Sequence, residues 1–163
     1  NVGRVGGPRW AVVAFILDVL KAAVPVGIAY LWLGINDWHI VPIAIAPAIG
    51  HAYPLFFGFQ GGKGIAAVAG GWGGLAIWEI ITVGGILLGF WYFSVKESAW
   101  AVVFMSISLG LYLLLTGVPG AWYGYYVAGF LFLLWTHRRE LPNPPGIQPW
   151  VKRVAGLWHS SSS

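Results

Sequence analysis

The stretch GHAYPLFFGFQGGKGIAAVAG, residues 50–70, places a lysine among glycines inside otherwise apolar sequence. Consecutive glycines let backbone N–H groups converge on an anion. A helix that begins directly after them adds the positive end of its dipole. Gly61, Gly62, Lys63 and Gly64, followed by Ile65–Gly70, have both features, and Lys63 brings a full charge. The loop is not of the Walker A type, which needs Gly five residues before its Gly-Lys and Ser or Thr after it. Those places hold Phe57 and Gly64. The plainer alternative is a glycine-rich turn between helices with one loop lysine.

Other polar groups come close to this stretch in kind. His51 stands 12 positions before Lys63, just ahead of Pro54. It is either a hydrogen-bonded structural residue or a group that handles substrate. Asp18 and Lys21 are three apart and share a helical face. They form a self-neutralising pair, or Lys21 faces an anion while Asp18 orients it. His137, Arg138 and Arg139 are an ordinary basic cap on a span, or a guanidinium clamp for a phosphate. With Arg4 on the same membrane side, Arg4, Lys21, Lys63 and Arg138 together point to a phosphate-bearing ligand at one membrane face. Glu79 is a lone acid: a buried protonated acid, a partner for Lys21, or a lipid-facing group at the interface.

The elements that must position these groups are membrane helices. Apolar residues are 58% of the 163-residue chain and charged residues 9%, where soluble domains run near a quarter charged. The mean hydropathy of +0.76 agrees. With no cysteine, disulfides and thiolate metal sites are excluded. The net charge of +4 is too small to signal nucleic acid and matters through its placement in loops.

Runs of about 20 apolar residues can cross a bilayer as helices. Trp10–Gly34 is one; Ile40–Phe59 is a second, interrupted by Pro42, Pro47 and Pro54; Ala99–Thr116 and Gly120–Thr136 are two more. Gly64–Phe93 is long for one span and short for two, and GGWGG at 70–74 marks a turn within it. Charge decides. If the chain turns there, Arg4, Arg9, Lys63, Lys96, Arg138 and Arg139 all fall on one side, with Lys152 and Arg153. The positive-inside rule then makes that side cytoplasmic. The expected fold is all-α, a polytopic membrane bundle of six segments, two of them short, with both termini in the cytoplasm. Residues 1–141 form the membrane domain. Residues 142–163 form a Pro-rich cytoplasmic tail in which Trp150–Trp158 can lie as an interfacial helix.

The motifs resemble a known family. Gly50-His51-Ala52-Tyr53-Pro54 with Phe59-Gln60-Gly61-Gly62-Lys63-Gly64-Ile65-Ala66 resembles the G-H-x-F-P…F-x-G-G-K-G-V-A signature of the bacterial membrane glycerol-3-phosphate acyltransferases. These are the acyl-phosphate-dependent, PlsY-type enzymes. Asp18-Val19-Leu20-Lys21 is similar to their D-x-x-K-G element, with Ala22 for glycine. Asn1-Val2-Gly3-Arg4 is similar to the end of the first motif, and His137-Arg138 to the start of the third, H-R-x-N-I. Order and spacing agree over essentially the whole chain. The sequence departs from the pattern at Glu140-Leu141, where the third motif has Asn-Ile, and around Ser94 or Ser98, where the family has a serine. The start of the first motif and the helix before it are missing, as in an N-terminally truncated chain.

The resemblance implies a seven-helix bundle in the full-length protein, in the bacterial inner membrane with a cytosol-facing site. It implies acyl transfer from acyl phosphate to the 1-hydroxyl of glycerol 3-phosphate, giving lysophosphatidic acid and phosphate. By the same resemblance Gly61, Gly62, Lys63 and Gly64 cradle a phosphate, and Arg4, Lys21 and Arg138 add charge. Asn1, His51 and His137 position substrate groups. No metal or organic cofactor is implied. The H-x-x-x-x-D motif of the other acyltransferase class is absent: the fifth residue after His39, His51 and His137 is Ala44, Phe56 and Pro142. An anion transporter and a non-catalytic membrane subunit are the rival readings. The first predicts two similar halves, and no clean internal repeat is visible.

Overall fold

The computed structural model describes residues 2–55, 58–59 and 61–151, with side chains from Gly7 onward. Six α-helices follow in order: α1 Val2–Gly27, α2 Ile40–Ala52, α3 Ile65–Ala76, α4 Glu79–Ser94, α5 Ser98–Thr116 and α6 Gly120–His137. A π-helical turn, Ile28–Trp32, extends α1. The expected six segments are present, but three rather than two are short: α2 with 13 residues, α3 with 12 and α4 with 16. The chain is an all-helical membrane bundle. Its outer surface carries Leu17, Val24, Leu31, Leu111, Leu114 and Leu131, all exposed, which lipid rather than water accommodates.

Helix ends follow local chemistry. α1 bends at Gly7, whose φ of 80° is left-handed, directly before Pro8. α2 ends at Ala52, well short of Phe59, because the residue before Pro54 is steered out of the helical region. Pro42 sits in the first turn of α2, where no intrahelical N–H is lost, and Pro47 is carried inside the helix. Of the three prolines expected to interrupt this span, only Pro54 does. α5 stops at Gly117, a left-handed cap with φ 68°.

The turn expected at GGWGG is not there. Gly70–Gly74 lies within α3, and the chain reverses at Ile77-Trp78, where Ile77 takes a φ of 56°. Four glycines in five residues stay helical because each lets a neighbour approach. An added Cβ on Gly70 would overlap the Val19 carbonyl, and on Gly74 would sit 2.6 Å from Val26 Cβ and 2.7 Å from Gly27 N. Gly71 leaves room for the Tyr125 hydroxyl and Gly73 for Ile81. Small residues at such spacing bring membrane helices together in the absence of a hydrophobic drive. The pairings Val19–Gly70 and Val26–Gly74 run in step, so α1 and α3 are parallel neighbours.

The core forms where α2, α3 and α6 meet. Tyr125 is fully buried, packs edge-on to Trp72 at 4.9 Å, and donates to the Val68 carbonyl at 2.8 Å. Alternating helix directions send the α2–α3 loop, the α4–α5 turn and the end of α6 to one end of the bundle. That end holds Lys63, Lys96, Arg138 and Arg139, while the other holds Asp37 and Glu79 among the described residues. The partner of Glu79 there is Tyr112 rather than Lys21: Tyr112 Oη donates to it at 2.6 Å.

The Pro-rich segment after α6 packs against the bundle. Ile147 pairs with Val95 in an antiparallel bridge. Lys96 N donates to Gly146 O at 2.7 Å, Trp100 Nε1 to Asn143 O at 2.7 Å, and Trp150 Nε1 to Phe93 O at 2.7 Å. Lys152, Arg153 and most of the expected interfacial helix lie outside the described residues.

Candidate active site

Three elements meet at the basic end of the bundle. α1 supplies Asp18 and Lys21, one turn apart. The end of α2 supplies His51. The loop Gly61–Gly64 passes over His51 before α3 begins. Lys21 Nζ donates to Asp18 Oδ1 at 2.5 Å and to His51 Nδ1 at 2.7 Å. An ammonium group only donates, so Nδ1 is the acceptor and the imidazole proton sits on Nε2. Asp18 Oδ1 lies 3.3 Å from the same Nδ1.

The two leading glycines of the loop are dictated by this packing. A Cβ on Gly61 would overlap the His51 carbonyl and stand 2.8 Å from Ala52 O; a Cβ on Gly62 would overlap His51 Nε2. Gly61 N donates to Ala52 O at 3.1 Å and is thereby occupied. Among the described residues, the N–H groups of Gly62, Lys63 and Gly64 have no acceptor. Gly64 takes a φ of 80° as the N-cap of α3, with Phe132 packed where a side chain would go. The anion-binding reading of the loop thus narrows to Gly62–Gly64 and the first turn of α3.

α6 closes the site from the far side. Thr136 Oγ1 donates to the Lys63 carbonyl at 3.0 Å. His137 is buried and donates from Nδ1 to Leu133 O at 2.8 Å, leaving Nε2 as the acceptor. The chain then turns, with Glu140 N donating to His137 O at 2.9 Å. This brings the Glu140 carboxylate to Lys63 Nζ at 2.6 Å. Beside the polar groups an apolar cavity of about 130 Å³ is lined by Phe15, Ile65, Trp72, Gly84, Tyr126 and Leu133, among others. Ile65, two residues after Lys63, and Leu133, whose carbonyl accepts from His137, line the cavity, while the charged side chains do not.

The model of a family described as glycerol-3-phosphate acyltransferase matches residues 1–143. The chain belongs to that family. A glycerol-3-phosphate acyltransferase of Hydrogenovibrio crunogenus is 35% identical over 146 residues, 86% of this chain and 67% of the relative. One of Enterobacter sp. is 41% identical over 101 residues, 62% of this chain and 47% of the relative. The chain therefore spans about half to two thirds of the length of these curated relatives. Two crystal structures of PlsY (YgiH), an integral membrane glycerol 3-phosphate acyltransferase, share the fold at 27% identity. The lysophosphatidic acid form has a TM-score of 0.77 and the glycerol 3-phosphate form 0.76. Each alignment covers 96% of this chain, and 74% and 73% of the PlsY chains.

Within this acyltransferase-family bundle, the sequence-derived candidates divide into three groups. Lys21, His51, Gly61, Gly62, Lys63, Gly64 and His137 come together as described. Arg138 turns back on its own helix: Nη1 donates to Trp135 O at 2.6 Å, and the guanidinium lies 4.0 Å from the Trp135 ring centroid. Trp135 in turn donates to Tyr53 Oη at 2.6 Å. Asn1 and the Arg4 side chain lie outside the described residues. Ser94 Oγ donates to Phe90 O inside α4. Glu140 is the functional neighbour that residue-type reasoning passed over. It reads as a departure from the third motif, and its signal is the position itself, three residues after His137 at a helix end.

Proposed function

We propose that the protein transfers an acyl group from acyl phosphate to the 1-hydroxyl of glycerol 3-phosphate, at the basic end of the bundle. The observation that carries this reading is the meeting of Lys21, His51, Gly62–Gly64 and Lys63 beside an apolar cavity. That arrangement suits one substrate that is phosphorylated and another that is both phosphorylated and acylated. Family membership supports the same reaction.

An acyl phosphate is a mixed anhydride. Its leaving group is good and needs charge stabilisation more than protonation. In the proposed step, the glycerol oxygen forms a bond to the acyl carbonyl carbon, and the bond from that carbon to the phosphate oxygen breaks. The departing phosphate keeps the electron pair and accepts the hydroxyl proton. Lys63 and the open N–H groups of Gly62–Gly64 hold a phosphate, and Lys21 adds charge. The two phosphates held side by side bring hydroxyl and carbonyl into register. The cavity takes the first carbons of the acyl chain. His51 and His137 each have one ring nitrogen fixed by a neighbour and one left for substrate. By the family resemblance Arg4 and Asn1 belong to the same site, and Arg138 stands at its rim.

The clustering of Lys63, Lys96, Arg138 and Arg139 at this end supports a cytoplasmic orientation in the bacterial inner membrane. The test is purified protein with acyl phosphate and labelled glycerol 3-phosphate. Lysophosphatidic acid is the expected product; its absence from folded protein would falsify the proposal.

A further inference from the structure

Lys63 and Glu140 are 77 residues apart and meet only because α6 ends where it does. The turn that brings Glu140 round is held by His137 O, and α6 is tied to the loop by the Thr136 bond to Lys63 O. Lys63 is therefore paired with a carboxylate whose backbone position is set by the end of α6. Lys21 is likewise paired with Asp18. Each of these two ammonium groups is thus matched by a carboxylate, so neither Lys21 nor Lys63 offers an anion its full charge until that carboxylate moves aside. Asp18 is anchored on α1, three residues from its lysine, and also faces His51. Glu140 sits on a turn beyond the last helix, with its side chain 37% exposed. It is the carboxylate that can leave for water.

We propose that Glu140 is an internal competitor at the site: its carboxylate occupies the phosphate position on Lys63, and ligand binding is an exchange of one anion for another. A phosphate monoester carries about −1.5 to −2 charge at neutral pH and three strong acceptor oxygens. A carboxylate carries one charge and two oxygens. The exchange lowers the affinity of every anion by the same displacement cost, which a phosphate monoester, with its greater charge, overcomes more readily than a monoanion such as glycerate. An unoccupied Lys63 would bind both more tightly, by the same factor. The inference rests on the phosphate-binding role given to Lys63 above, and it is read without acyl transfer.

The experiment is calorimetric titration of the full chain in detergent micelles with inorganic phosphate, and separately with glycerate. Glu140→Gln is expected to tighten phosphate binding about two- to fivefold, the range of a partly exposed ion pair. Glycerate binding is expected to tighten by the same factor, because the cost of displacing Glu140 does not depend on the incoming anion. Glu140→Asp, one methylene shorter but still charged, is expected to fall between, and serves if the glutamine variant does not fold. In a Lys63→Met background the Glu140 change is expected to leave phosphate affinity unaltered. Unchanged or weaker phosphate binding by folded Glu140→Gln overturns the proposal. So does the same tightening without Lys63, or no saturable phosphate binding by any variant. Failure of acyl transfer with these affinities intact bears on the proposed reaction alone.

Discussion

Lys63 is the cation whose removal separates a phosphate site from a loop lysine. If it stabilises charge on the departing phosphate, Lys63→Met lowers kcat/KM about 10²–10³-fold, as loss of one preorganised donor does, in a radiometric transfer assay. Gly62→Ala tests the packing beneath it. The new methyl group meets His51 Nε2 and pushes the imidazole off Lys21. A displacement near 1 Å in a site of this kind costs about 10²-fold in rate, with thermal unfolding little changed. Glycine and lysine were readable in the sequence as an anion-binding loop. What one sequence cannot show is why each glycine is there: Gly61 and Gly62 answer to the bulk of His51, Gly64 to its own left-handed backbone and to Phe132. Nor does it show that both site lysines have carboxylate partners, since Glu140 reaches Lys63 only through the tertiary path of α6.

At the scale of elements, the α1–α3 contact sets the site, because it fixes Lys21 on one helix against the loop that opens the other. Gly70→Ala places a methyl group on the Val19 carbonyl, which is backbone and cannot swing away. The expected loss is about 1–3 kcal/mol, the usual cost of overpacking, read as a lower unfolding temperature in detergent micelles. Gly84→Ala is the control: an added Cβ there meets nothing within 4 Å, so stability is unchanged or slightly raised. Helix number and the short length of α3 and α4 are legible from hydropathy and charge; the early end of α2 at Ala52 is not. GGWGG was not, because glycine breaks helices in water yet lets helices approach in lipid. The true reversal, at Ile77-Trp78, carries no turn residue: Ile77 takes a positive φ that a β-branched residue rarely adopts, and both side chains are exposed.

For the whole molecule, charge placement was the strongest sequence signal, and the bundle collects its loop cations at one end. The protein has no cysteine, so single cysteines report sidedness cleanly. A cysteine replacing Val118 is expected to react with an impermeant thiol reagent in intact cells, and one replacing Lys96 only after permeabilisation. The reverse pattern would invert the proposed orientation. Composition predicts residues 142–163 only as a Pro-rich tail; the bonds from Lys96, Trp100 and Trp150 that dock residues 143–150 join residues far apart in the chain. The most direct test of the whole account is a side-by-side assay of the purified protein and Lys63→Met with acyl phosphate and radiolabelled glycerol 3-phosphate. The account predicts lysophosphatidic acid and stoichiometric phosphate from the first and almost none from the second. No product from folded protein, or equal rates from both, would contradict it.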